Sequence, residues 1–136
     1  MMNRWPDWWN QARRDLAHAR NSLQAGDLEW SAFAAQQGAE KAVLALLLSL
    51  GGEPWGHSLA RLIQVIPEDL PAPREILDAG RRLDKHYLPT RHPNGFSEGY
   101  PGDLYTEEEA EGAIRDGEKI LAFCRSRLPG QEEEDR

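Results

Sequence analysis

The sequence predicts an all-α protein, an antiparallel up-and-down four-helix bundle with one additional short helix. Apolar side chains recur at spacings of three and four along most of the chain, and no segment shows the sustained alternation typical of strands. Glycine and proline residues divide these periodic segments, and most connections between them are short. No linker separates two cores, so we expect residues 1–128 to form a single helical domain, followed by an acidic flexible tail at 129–136.

The first two helices are the longest. The first is predicted from about Pro6 to Leu23, because proline suits a first helical turn and Gly26 ends the pattern. Asp27 is suited to cap a second helix, which is predicted to run to about Leu50, before two glycines and a proline. The expected inward-facing residues are Trp5, Trp9, Ala12, Leu16, Ala19 and Leu23 in the first helix, and Trp30, Phe33, Ala34, Gln37, Val43, Leu44, Leu47 and Leu48 in the second.

Three helices are predicted in the second half of the chain. A short helix follows Ser58, and a fourth helix covers Pro73 to Tyr87. Residues 89–105 are rich in proline, glycine and aromatic residues and are predicted to be a long irregular loop, a type of segment that is often functional in compact domains. Thr106 and Glu109 have the Thr-x-x-Glu spacing of a capping box, which starts the last helix.

Composition and charge limit the possible functions. The chain has 136 residues and a formal net charge of −7, which disfavours broad, non-specific binding to duplex nucleic acid. No apolar run is long enough to span a membrane, and the N-terminus lacks the apolar core of a signal peptide, so we expect a cytoplasmic protein. The single cysteine, Cys124, excludes an intramolecular disulfide and is predicted to be a small packing residue. The four histidines lack metal-ligand spacing, so neither a metal nor a cofactor is expected.

Two polar segments interrupt the apolar pattern and are the candidate functional sites. On the second helix, Gln37 and Lys41 are four residues apart and share a face, so together with Glu40 they could line one groove. The alternative is that Gln37 forms a hydrogen bond inside the bundle while the two charged residues form a solvated edge. Spacing alone leaves both interpretations open.

The second polar segment follows the fourth helix. Arg91, beside Thr90, could bind a phosphate or a carboxylate, because a guanidinium donates two parallel hydrogen bonds. Alternatively, Arg91 fixes the long loop by pairing with a buried acid or with backbone carbonyls. His57, just before the short helix, is a further candidate, and its structural alternative is to help cap that helix.

These segments resemble the prokaryotic HEPN domains that are often encoded beside a minimal nucleotidyltransferase. The stretch AAQQGAEKA (34–42) is similar to the family's A-Q-Q-A-A-E-K-A helix, GHSL (56–59) to its G-H-D-L segment, and LDKHYLPTRHP (83–93) to L-D-x-x-Y-I-P-T-R-Y-P. The resemblance spans about Trp9 to Leu128, with its parts in the family's order. Two positions depart from the pattern, since a serine follows the histidine in GHSL and a histidine replaces the aromatic residue in TRHP.

The resemblance implies a homodimeric helical module with a nucleotide-binding or RNA-related role, often in a toxin–antitoxin or defence-type pair with a minimal nucleotidyltransferase. The isolated chain would then bind a nucleotide or the partner protein, and the catalytic chemistry would lie in the partner. The ligand-binding positions that the resemblance implies are Gln37, Glu40, Lys41, His57, Tyr87, Thr90 and Arg91.

Two alternatives stay open. Some HEPN proteins are metal-independent ribonucleases with an arginine and a histidine four to six residues beyond it, and Arg81 and His86 fit that spacing. His86 would act as acid or base, and Arg81 would stabilise phosphate charge. Five positions along a helix turn these side chains about 140° apart, so a dimer cleft would have to reunite them. The other alternative is a purely structural dimerisation module, which is favoured if Gln37 and Arg91 satisfy only internal groups.

Overall fold

Within residues 2–69 and 71–131, which the computed structural model describes, the regular secondary structure is entirely helical. The α-helices are α1 (Trp5–Ala25), α2 (Leu28–Ser49), α3 (Leu59–Gln64), α4 (Arg74–Asp84), α5 (Pro101–Leu104) and α6 (Glu107–Arg125). Helices α1, α2, α4 and α6 form the four-helix core, and α3 is the additional short helix. The predicted all-α class is therefore confirmed.

Helix α1 is confirmed by the structure, with ends within two residues of the predicted ones. Its buried stripe consists of Trp9, Ala12, Leu16, Ala19 and Ser22. Gly26 ends the helix in the left-handed region at a φ of 82°, and its N–H bonds back to carbonyls of the last turn. Asp27 occupies the predicted N-cap position of α2, but its side chain makes no capping hydrogen bond.

Helix α2 lies at the centre of the bundle, and its predicted inward face is partly wrong. The helix packs against α1 on one side and α6 on another, so buried residues occur almost all round it. Gln36 is fully buried, whereas Gln37 is only half-buried and Trp30 is 50% exposed. A helix covered on several sides loses the one-sided periodicity on which that prediction depended. Gly38 permits the close approach of α1, because a Cβ there would lie 3.0 Å from the carbonyl oxygen of Ala12.

Helix α4 ends at Asp84, three residues before the predicted end at Tyr87. Beyond Asp84 the chain continues in turns that are closed by hydrogen bonds between residues three apart. The carbonyls of His86 and Tyr87 accept hydrogen bonds from the side chains of Thr90 and Arg91, at 2.7 and 2.8 Å, instead of from helical N–H groups. The α-helix itself ends at Asp84 because the N–H groups of Lys85, His86 and Tyr87 bond to carbonyls three residues back and not four.

The carboxylate of Asp84 connects the end of α4 to the start of α3. It accepts hydrogen bonds from the backbone N–H groups of Leu59 (2.7 Å) and Ala60 (3.0 Å) and from the hydroxyl of Ser58 (3.2 Å). Ser58, and not His57, is the N-cap residue of α3. The alternative interpretation of His57 was that it helps cap this helix. The contacts assign that cap to Ser58.

The segment predicted as a long irregular loop, residues 89–105, contains two short helical turns. One is α5, and the other is a three-residue 3-10 helix at Pro93–Gly95. The capping box at the start of α6 is confirmed, because Thr106 Oγ1 accepts from the N–H of Glu109 and the Glu109 carboxylate accepts from the N–H of Thr106, both at 3.1 Å. The loop is therefore held at its far end by a well-capped helix.

The C-terminal half of α6 completes the core. Cys124 is fully buried, as predicted for a packing residue, and burial raises the pKa of its thiol to about 12. Most of the predicted acidic tail, residues 132–136, lies outside the described residues. Gln131, just before them, accepts a hydrogen bond from the indole N–H of Trp9 at 2.9 Å. Among the helices described, none is both long and apolar enough to cross a membrane.

Candidate functional site

The two polar segments of the sequence meet in one group of side chains, which we call the His57 cluster. It consists of Phe33, Glu40, His57, Tyr87 and Arg91. Phe33 and Glu40 lie on α2, His57 precedes α3, and the other two residues lie in the turns that follow α4. Residues more than 50 positions apart in the chain are thus brought into contact.

The buried half of the cluster is the pair formed by Glu40 and His57. Glu40 is only 4% exposed, and its Oε1 lies 3.2 Å from Nδ1 of His57. Burial raises the pKa of Glu40, and the neighbouring His57 partly opposes that shift through its charge and its hydrogen bond. The His57 side chain is 66% exposed, and its second ring nitrogen, Nε2, makes no hydrogen bond with the described residues. A pair of this kind can exchange a proton with a bound group.

The other half of the cluster holds Arg91 between two aromatic rings. Its guanidinium carbon lies 4.3 Å from the ring centre of Phe33 and 4.7 Å from that of Tyr87. Nε and Nη2 of Arg91 both donate to the backbone carbonyl of Tyr87, at 3.1 and 2.8 Å. Of the two interpretations of Arg91, these contacts match the one in which it fixes the loop through carbonyls. Nη1 has no hydrogen-bond partner among the described residues.

Tyr87 and Thr90 complete the turn that carries Arg91. The ring of Tyr87 stacks on that of His57, with centres 5.1 Å apart and planes 22° from parallel. Thr90 is 1% exposed, and its hydroxyl donates to the carbonyl of His86. Thr90 therefore shapes the turn from inside, whereas the half-buried Tyr87 forms part of the His57 cluster.

Gln37 and Lys41 do not line the same groove as Glu40. Gln37 Nε2 donates to Gln36 Oε1 at 2.8 Å, and Lys41 Nζ pairs with Asp15 Oδ2 at 2.5 Å. Both side chains border an open groove of about 250 Å³ between α1 and α2, which Phe33 also lines and Arg91 does not. The first polar segment is thus divided between this groove and the His57 cluster.

Arg81 and His86 lie in different surroundings. Arg81 is exposed and pairs with Asp78 at 3.3 Å. His86 is half-buried and lines a separate cavity of about 570 Å³, where its Nδ1 lies 2.8 Å from the hydroxyl oxygen of Tyr105. Burial lowers the pKa of His86 and raises that of Tyr105, so the neutral forms of both are favoured. Two arginines, Arg82 and Arg115, line this cavity with His86, and Arg81 does not line it.

Several residues that hold the site were not singled out in the sequence. Arg82 makes two hydrogen bonds with the buried carboxylate of Asp116, at 2.9 and 2.8 Å, which tie α4 to α6. Asp84, which caps α3, lies inside the stretch that resembles the family. That resemblance is the feature of the sequence that points to this residue. In the part of the chain that the structure describes, no three His, Cys, Asp or Glu side chains cluster in a way that could hold a metal ion.

Comparisons with known proteins agree with this architecture. A family model described as HEPN domain matches residues 5–127. The crystal structure of TT1696 from Thermus thermophilus is similar, with 46% identity and a TM-score of 0.91, over 93% of this chain and 100% of that one. The structure of ST0689, an archaeal HEPN homologue, has 39% identity and a TM-score of 0.78, over 92% and 98% of the two chains.

A HEPN domain protein from Thermotoga maritima is also similar, with 32% identity and a TM-score of 0.72, over 88% of this chain and 95% of that one. No functionally curated protein matches the chain. The family match covers most of the chain, and each of the three structures is covered almost completely. The chain therefore belongs to the HEPN domain family.

Proposed function

We propose that the chain is a HEPN-type binding module that forms a homodimer and binds a nucleotide. In this proposal it acts with a minimal nucleotidyltransferase in a toxin–antitoxin or defence-type pair, and the catalytic chemistry lies in that partner. The observation that carries the nucleotide part is the His57 cluster, in which an exposed histidine pairs with the buried Glu40 and stacks on Tyr87, the ring that also contacts the permanently charged Arg91.

The cluster offers donors that suit a phosphate group. Nη1 of Arg91 and Nε2 of His57 make no hydrogen bond with the described part of the chain, so both are available to an anion. Burial raises the pKa of Glu40, so this carboxyl takes up a proton more readily than an exposed glutamate when an anion approaches.

Isothermal titration of ATP into the purified protein tests this proposal. We expect His57→Ala to weaken binding at least about tenfold, because a charged hydrogen bond to phosphate is lost. His92→Ala is the matched control, since His92 is exposed and makes no side-chain hydrogen bond with the described residues, and it should leave the affinity unchanged. If the wild-type protein binds no nucleotide, alone or with its nucleotidyltransferase, the nucleotide part of the proposal is wrong.

The partner part is tested by the gene next to that of this chain. A minimal nucleotidyltransferase encoded there, which co-purifies with this protein at a fixed ratio, would support the pair. A neighbouring nucleotidyltransferase that does not associate with the purified protein, under conditions where both are folded, would count against it.

A second candidate function, a structural dimerisation module, is favoured by one specific observation. The hydrogen bonds that Gln37 and Arg91 make within the described chain go to Gln36 and to the Tyr87 carbonyl, which are internal groups. A protein that is dimeric in solution, associates with its partner and yet binds no nucleotide would match this second function. The titration above separates the two.

A further inference from the structure

An exposed apolar surface lies where the connection between α2 and α3 meets the start of α1. We call it the tryptophan patch and define it by Trp8, Leu44, Leu48, Trp55 and Val65. The indole of Trp55 is 90% exposed, and it makes no hydrogen bond or ring contact with the described residues. Trp8 is 39% exposed and Val65 is 60% exposed. Contiguous exposed apolar groups of this kind mark interaction surfaces.

Trp55 stands between two hollows. The smaller, of about 310 Å³, lies between Trp55 and Trp8 and has Leu44 and Leu48 in its lining. The larger, of about 620 Å³, extends from Trp55 to Val65. A projecting side chain beside a hollow is self-complementary, because a two-fold axis can place the projection of each copy in the hollow of the other. Trp55 therefore has the form of an anchor for a second copy of the same surface.

The charges at the edge of the larger hollow have the same self-complementary character. Glu53 and Arg61 both line it, and neither makes an ion pair with the described residues. If Glu53 of one copy faces Arg61 of the other, two-fold symmetry makes Arg61 of the first copy face Glu53 of the second. One cation and one anion in each copy therefore give two attractive pairs. These local pairs matter because two copies with a net charge of −7 each repel one another at long range.

We propose that a second copy of this chain covers the tryptophan patch, with Trp55 of each copy in a hollow of the other and Glu53 of each facing Arg61 of the other. This inference rests on the homodimer part of the proposed function and gives that homodimer its surface. His57 lines both hollows, so the second copy lies beside the His57 cluster. The ligand site and the dimer contact are then neighbours on one face of the molecule.

Sedimentation equilibrium on the full chain tests the surface. We expect Trp55→Ser to raise the dimer dissociation constant at least about tenfold, because truncation of a central aromatic anchor has effects of that size. Trp30→Ser is the matched control, since Trp30 is 50% exposed and does not line either hollow, and it should leave the constant unchanged. Circular dichroism of both variants checks that each is folded.

Charge reversal tests the two-fold arrangement independently. Self-association should be weakened by Glu53→Arg and equally by Arg61→Glu. In either variant the side chains at positions 53 and 61 carry the same charge, so both pairs between the two copies become repulsive. A one-to-one mixture of the two variants should form a heterodimer, since one copy then presents two cations to the two anions of the other. A mixture that does not associate overturns the arrangement.

The outcomes separate this inference from the proposed function. A wild-type protein that is monomeric at all accessible concentrations overturns the homodimer, and with it the proposed surface. This holds equally if such a monomer uses Trp55 to bind a nucleotidyltransferase. A dimer that Trp55→Ser leaves intact overturns only the surface. Neither result depends on nucleotide binding, which the titration with ATP measures separately.

Discussion

The carboxylate of Asp84 is expected to contribute more to stability than its position at the end of α4 suggests. It accepts two backbone N–H groups at the start of α3, from Leu59 at 2.7 Å and Ala60 at 3.0 Å, across 25 and 24 positions of chain. A helix cap is worth about 0.5–2 kcal/mol, and a hydrogen bond to a charged group about 1.5–3 kcal/mol. Because these terms overlap, we expect Asp84→Ala to lower the free energy of unfolding by about 2–4 kcal/mol.

The assay is urea denaturation followed by circular dichroism at neutral pH. Asp84→Asn keeps one acceptor oxygen and should lose about half as much, about 1–2 kcal/mol. Asp69→Ala is the control, because Asp69 is exposed and has no hydrogen bond or ion pair with the described residues, and it should change stability by less than about 0.5 kcal/mol. In thermal melts the alanine variant should unfold about 6–15 °C lower. An Asp84→Ala protein as stable as the Asp69→Ala control would refute the reasoning.

Three further predictions concern packing and titration. Gly38→Ala should cost about 1–3 kcal/mol in thermal melts, because its Cβ would lie 3.0 Å from the backbone of α1. Gly112→Ala should instead stabilise α6 by about 0.5–1 kcal/mol, because its Cβ would meet only Nη2 of Arg115, at an ordinary contact distance of 3.7 Å. Burial lowers the pKa of His86, so the unfolded chain binds this proton more tightly and the buried group costs stability as pH falls below about 6.5. Denaturation at several pH values should therefore show the stability deficit of His86→Gln shrinking between pH 7 and pH 5. Cys124 should react with a thiol reagent only after unfolding, since burial raises the pKa of its thiol to about 12.

How well a helix of this bundle is predicted from its sequence depends on how many of its sides are covered. Helix α1 buries one stripe, so its spacing predicts both its inward face and, within two residues, its ends. Helix α2 is rich in small residues and is covered on several sides, so its face is not marked by periodicity, and Gln36 rather than Gln37 is the buried amide. Helix α4 ends where the N–H groups of residues 85–87 bond to carbonyls three residues back, a change that no apolar pattern reveals.

The candidate site was predicted as a set of positions and not as a set of contacts. The family resemblance pointed to Glu40, His57, Tyr87 and Arg91, and the structure places these four in one cluster. Their partners could not be predicted, because each contact joins segments far apart in the chain and depends on how α2 and the turns after α4 pack together. Gln37 shares a helix with Glu40 but faces a different groove, a distinction that depends on the rotation of α2 in the bundle.

The close crossing of α1 and α2 at Gly38 has a consequence for the order of folding. The two helices are joined by only Gly26 and Asp27, so their many mutual contacts close short loops and carry little entropic cost. Contacts between α2 and α6 close a much longer stretch of chain. We therefore expect the α1–α2 hairpin to form before α6 docks, and pulsed hydrogen exchange during refolding should protect the amides of the hairpin first.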